Sequence, residues 1–118
     1  MMMDKLYEGT RYSIEISDKE MYQLGKHYNK HGWPEMGYAS KKEYQQAAYD
    51  FALEARQSPD AEILKGEWRS RTQELVREQI VIRYQGKSVI LDAQTGQIMD
   101  FYVGTDNFGI TNLFWWGE

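Results

Sequence analysis

The sequence predicts an α+β domain, with two N-terminal helices packed on a C-terminal antiparallel meander of three to four strands. Two Ser-x-x-Glu runs in the first half read as helix starts. Two glycine turns in the second half join short alternating apolar runs. At 118 residues the chain fits a single domain, 1–118, with one core. Four Trp, nine Tyr and four Phe exclude a disordered tail.

Tyr12, Ile14 and Ile16 alternate with Ser13 and Glu15, a short strand-like pattern. Ser17-Asp-Lys-Glu20 is a capping box and predicts a helix over 18–31. Met21, Leu24, Gly25 and Tyr28 form its apolar stripe. Gly32 is expected to stop it as a left-handed residue, with Pro34 just beyond. Ser40-Lys-Lys-Glu43 is the second capping box. It opens a helix over 41–57 that buries Tyr44, Ala47, Ala48, Phe51 and Ala55. The small alanines let another element approach closely. Residues 60–65 read as a short helical turn. Residues 68–76 read as helix or as a leading strand, with strand preferred. Residues 78–84, 88–92 and 97–103 read as strands joined at Gly86 and Gly96. On the first, Ile80, Ile82 and Tyr84 share one face, opposite Val81 and Arg83. On the last, Met99, Phe101 and Val103 face away from Ile98, Asp100 and Tyr102.

Composition narrows the function classes. The formal net charge is −4, which disfavours a sequence-independent coat on duplex DNA. The charge is unevenly spread, however. Lys19, Lys26, Lys30, Lys41 and Lys42 outnumber Glu20 and Glu35 in one stretch. Lys65, Arg69, Arg71, Arg77, Arg83 and Lys87 outnumber Glu67, Glu74 and Glu78 in another. Two such stretches can converge on a positive groove or form ordinary solvated faces. The absence of cysteine excludes disulfides, Cys-type zinc sites and thiol catalysis. No apolar stretch is long enough to span a membrane. The start, Met1-Met2-Met3-Asp4, lacks a signal-peptide core.

Both histidines sit in one run, His27-Tyr-Asn-Lys30-His31-Gly32. At i, i+4 they share a helix face bordering the apolar stripe, with His31 nearer to it and His27 further out. Three readings follow. The pair can chelate a metal, with a third ligand from Asp92, Asp100 or a Glu that no spacing singles out. It can serve general acid–base catalysis, with Lys30 and a sheet Arg meeting a phosphate charge. Or it can be two histidines at a helix C-terminus, where their charged form suits the dipole.

The run His27-Tyr-Asn-Lys-His-Gly32, followed by Gly37-Tyr-Ala-Ser-Lys-Lys-Glu-Tyr44-Gln-Gln-Ala47, resembles a pattern of C-terminal toxin domains. Such domains occur in contact-dependent inhibition toxins, other polymorphic bacterial toxins and some phage head proteins. Many belong to the barnase/EndoU/colicin/RelE-like ribonuclease group. The stretch 88–102 is similar to that group's hairpin into a last strand. The resemblance implies helices first, then a twisted antiparallel sheet. It makes His27 a catalytic acid or base, with Lys30 or His31 its partner. It implies a Thr or Ser followed by an aromatic on the last strand, which here reads as 98–102 and carries Asp100 at the hydroxyl position. An acid there repels a phosphodiester unless it holds a Lys, an Arg or a metal. Arg83 is then the expected phosphate contact, and Tyr102 and Asp100 the other substrate-facing positions.

The tail from Phe108 to Trp116 is strongly aromatic. Adjacent Trp115 and Trp116 face opposite ways if extended, so the tail either closes the core or offers an aromatic surface to a partner. Two functions are expected. The first is a small toxin-like ribonuclease cleaving RNA, such as tRNA, without metal or other cofactor, in the cytoplasm or delivered into a target cell's cytoplasm. An immunity-type protein is then its expected partner. The alternative is a non-enzymatic phage or mobile-element accessory protein that binds a protein partner.

Overall fold

A computed structural model describes residues 14–115, apart from the side chains of Asn112, Phe114 and Trp115. The pattern at Tyr12 and the orientations expected of Trp115 and Trp116 lie outside the described residues. From Ile14 to Tyr22 the chain is held by tertiary partners, not by a helix ladder. Ser17 N–H donates to Gly96 O (2.9 Å) and Tyr22 N–H to Ile98 O (3.0 Å). Met21 N–H donates to Gln45 Oε1 at 2.7 Å. Ser17 Oγ accepts from Lys19 N–H, not from Glu20. The helix expected over 18–31 is therefore corrected. It is α1, Leu24–His27, continued by a π-helical turn, Tyr28–Gly32. The i→i+5 bond Trp33 N–H to Tyr28 O (3.0 Å) marks that wider turn, and a second one, Met36 N–H to His31 O (3.2 Å), follows it.

Gly32 is needed for a different reason from the one expected. A Cβ there would lie 2.6 Å from Tyr28 Cδ1 and 2.8 Å from Tyr44 Cγ. The left-handed residue is Gly37, at φ 73°. The second capping box does start a helix, α2, Lys41–Gln57, with Ser40 Oγ accepting from Glu43 N–H at 3.1 Å. Glu43 reaches back to Ala39 N–H at 3.1 Å. Tyr44, Ala48, Ala52 and Ala55 form its buried stripe. The Tyr44 hydroxyl donates to Phe101 O across the core.

The sheet has five strands, not three to four: β1 Glu62–Arg69, β2 Val76–Tyr84, β3 Lys87–Asp92, β4 Ile98–Val103 and β5 Ile110–Trp115. Residues 62–65 begin a strand, not the helical turn that their sequence suggests. The aromatic tail supplies another, pairing antiparallel with β1. The order is β4-β3-β2-β1-β5, so 104–109 must lead from one edge of the meander to the other. The sheet curls to allow it. Phe108 packs at 4.6 Å between ring centroids on Tyr102 of β4 and, like Trp68 of β1, covers the same buried cluster.

Two cores result. One face of the sheet packs under α2 through Ile63, Ile80, Ile82, Val89, Leu91, Ile98 and Phe101. The concave face gathers Leu64, Val81, Ile90, Met99, Tyr102 and Ile110. In β4 the expected alternation fails at one point. Ile90 pairs with Asp100 and Leu91 with Ile98, leaving Met99 without an opposite residue. This bulge puts Ile98 and Phe101 in the α2 core and Met99 and Tyr102 in the concave one. The first helical segment wraps the β4 edge. Its Leu24 and Tyr28 reach the α2 core, while the His31 ring meets Tyr102 and Phe108. Among the described residues no helix is long and apolar enough to cross a membrane.

Candidate functional site

The wrap of α1 and its π turn around the β4 edge sets both histidines against the bulge at Asp100. His27 Nδ1 is 3.2 Å from Asp100 Oδ1, and His31 Nε2 is 3.8 Å from Asp100 Oδ2. The imidazoles stack at 17°, with centroids 6.3 Å apart. Asp100 Oδ1 also accepts from Phe101 N–H at 2.8 Å, so the carboxylate is fixed by its own strand. His31 is 2% exposed and donates from Nδ1 to Glu35 Oε2 at 2.7 Å. Glu35 is fixed in turn, since its Oε1 accepts from Val103 N–H at 3.1 Å. Of the two rings only His27 opens on a cleft.

That cleft, about 420 Å³, lies between α1 and the concave face. Its cations are Lys26, Lys30 and Arg77, its aromatics Tyr22, Trp68 and Phe108, and its floor includes Ile90 and Met99. Lys30 Nζ lies 4.7 Å from the Phe108 ring centroid, a cation–π contact that aims it along the wall. Arg77 lies 3.6 Å from Asp92. The two basic stretches of the sequence thus converge on one site, one through α1 and the other through β2.

Burial holds the His27 imidazole below its ordinary value of 6.5, and His31, Lys26 and Lys30 push the same way while Asp100 opposes them. Burial raises the Asp100 carboxyl against the pull of the two histidines. For both groups desolvation outweighs their mutual attraction, so the neutral imidazole is favoured. With its Nδ1–H towards Asp100, the lone pair of His27 is on Nε2. The arrangement can take a proton from a hydroxyl and surround the resulting anion with lysine and arginine.

The other residues to which the sequence points have different places. Arg83 is outside the cleft, on Glu62 Oε1 (2.8 Å), Thr105 O (3.3 Å) and Asn107 Oδ1. Tyr102 is buried, its hydroxyl donating to Asp106 O, and burial pushes that phenol up. Arg83 and Tyr102 therefore tie down the 104–109 loop that presents Phe108 to Lys30. The last strand is β5, not 98–103, and its Thr111 is exposed, with Oγ1 3.4 Å from Glu67 O. Sequence patterns do not single out Lys26, Arg77, Trp68 or Glu35 for the site. Arg77 has a legible signal, since it shares the Val81/Arg83 phase of its strand, and Glu35 stands four residues after His31. Comparison with family models, with curated proteins and with solved structures finds no match to this chain.

Proposed function

We propose that this protein is a small ribonuclease that cleaves RNA by general acid–base chemistry completed by its own side chains. The observation that carries the reading is His27, set against Asp100 at 3.2 Å on the wall of a cleft rimmed by three cations and three aromatic rings. RNA supplies what each part fits. The cations meet phosphates, the rings offer stacking faces to unpaired bases, and the 2′-hydroxyl supplies the proton. His27 Nε2 removes that proton, and the 2′-oxygen attacks the adjacent phosphorus to give a 2′,3′-cyclic phosphate. The 5′-oxygen leaves with a proton supplied by a cationic neighbour, Lys30 first. Lys26, Lys30 and Arg77 stabilise the charge that develops on the phosphoryl oxygens. The acid at position 100 borders the cleft but is 6% exposed and engaged with His27 at 3.2 Å, which makes it compatible with this role.

His31 is a positioning residue in this scheme, and Arg83 and Tyr102 act through the Phe108 loop. The toxin-like resemblance of 27–47 supports the same reading, with tRNA among the RNAs to test and an immunity-type protein as the partner to seek. The test is incubation of homogeneous protein with total RNA and with tRNA in excess chelator. Products ending in 2′,3′-cyclic phosphate are expected, and intact RNA contradicts the proposal. The second reading, a module that binds a protein, is favoured by Trp33 and Val103, 62% and 49% exposed. It predicts intact RNA in the same assay.

A further inference from the structure

His31 Nε2 is a buried nitrogen with no hydrogen-bond partner among the described residues. Its other nitrogen donates to Glu35, which leaves Nε2 with a lone pair in the neutral ring. That lone pair faces Asp100 Oδ2 at 3.8 Å, a second acceptor. Either a proton on Nε2 or a bound cation between the two atoms closes that contact. His27 Nδ1 stands on the same carboxylate, and one ligand atom from each of His27, His31 and Asp100 lies within 4.8 Å of the others.

We propose that His27, His31 and Asp100 form a site for one divalent transition-metal ion, Zn²⁺ in chemical character, and that the bound ion withdraws His27 from proton transfer. Two imidazoles and a carboxylate suit Zn²⁺, with the fourth position left open to the cleft. Zinc–nitrogen and zinc–oxygen bonds of about 2.0–2.2 Å put tetrahedral ligands about 3.3 Å apart. The observed separations are 3.2 Å from His27 Nδ1 to Asp100 Oδ1 and 3.8 Å from His31 Nε2 to Asp100 Oδ2, and one ligand atom from each residue lies within 4.8 Å of the others, so the three side chains must draw together to close the site. The outer partner is present as well. Metal-binding histidines usually donate their other N–H to a carboxylate, and His31 does so to Glu35 at 2.7 Å. Coordination through His27 Nδ1 leaves the ring proton on Nε2, where the ribonuclease scheme needs a lone pair. The ion site stands without that scheme, and only the inhibitory role rests on it.

The test is direct titration of the untagged, chelator-stripped full chain. Zn²⁺ is followed by calorimetry, and Co²⁺ by the visible bands of a tetrahedral nitrogen–oxygen site. One ion per chain is expected, with a rise in melting temperature on Zn²⁺ addition. His27→Ala and Asp100→Asn are expected to abolish the Co²⁺ bands. Glu35→Ala, a change at a partly exposed side chain, is expected to weaken binding by about 10–100-fold. Circular dichroism confirms that each variant folds. Absence of saturable binding, or binding unchanged in His27→Ala and Asp100→Asn, overturns the site. Cleavage read separately distinguishes the two claims. Stoichiometric Zn²⁺ is expected to suppress it and chelator to restore it. Ion binding with cleavage unchanged or stimulated overturns the inhibitory role, and intact RNA in chelator overturns the ribonuclease reading instead.

Discussion

Asp100 Oδ1 stands 3.2 Å from His27 Nδ1, bringing together a strand bulge and the last residue of a one-turn helix that are far apart in the chain. The bulge at Met99 turns the carboxylate to the concave side, and the wrap of α1 around the β4 edge brings the imidazole to it. The proposed ribonuclease scheme takes its base from this pair, with the Nδ1–H tautomer favoured by the carboxylate.

The two histidines are expected to separate fold from chemistry. His27→Ala should leave the melting temperature nearly unchanged and lower cleavage by about 10²–10⁴-fold, the usual worth of one general base. His31→Ala removes a buried, hydrogen-bonded ring and should cost about 1–3 kcal/mol of stability as well. Thermal melts and single-turnover cleavage on the same preparations check both.

The acid limb of kcat/KM, measured in chelator, should lie below pH 6.5. Burial holds His27 below that value, and the proposed mechanism uses the neutral imidazole, so activity should fall as the pH drops through the folded-state pKa. Asp100→Asn removes the charge that raises it. The limb should then move to lower pH while the plateau rate falls. A pH–rate series on wild type and Asp100→Asn shows the direction.

Lys26→Ala, Lys30→Ala and Arg77→Ala should weaken RNA binding, and the two lysine changes, which remove charges that push the His27 imidazole down, should also move the acid limb to higher pH, whereas Arg77→Ala should not. Each of these cations that meets a phosphate should, when removed, flatten the slope of log affinity against log salt by about 0.7. Binding to an uncleavable 2′-deoxy oligonucleotide at several salt concentrations measures this.

Truncation after Gly109 should destabilise the protein. It removes β5 from the edge of β1, and with it Ile110 and Leu113, which leaves the rest of the concave core uncovered. Loss of Ile110 burial alone is worth about 1.5–3 kcal/mol. A denaturant titration of the truncated chain against the full one checks it.

The helix at Ser40, the turns at Gly86 and Gly96 and the strands between 78 and 103 are legible in the sequence because local chemistry and tertiary packing agree there. At Ser17 they disagree. The sequence carries a capping box, but its backbone donors are taken by Gly96, Gln45 and Ile98, partners far along the chain. The β4 bulge is equally silent in the sequence, since alternation assumes one residue opposite another. Without it Asp100 reads as an acid at a phosphate position, when it is the carboxylate behind His27. The histidine face is legible, with His31 on the apolar side as its spacing implies. Charge points to Arg83 and strand position to Tyr102, but the loop they hold becomes visible only once the sheet is seen to curl.

The most direct measurement of the central claim is single-turnover cleavage, in chelator, of an RNA with one scissile nucleotide by wild type and by His27→Ala. The expected result is a 2′,3′-cyclic phosphate product from wild type, no product when the scissile 2′-hydroxyl is replaced by hydrogen, and a rate about 10²–10⁴-fold lower in the folded variant. Equal rates from wild type and His27→Ala, or cleavage of the 2′-deoxy substrate, would contradict a base at His27.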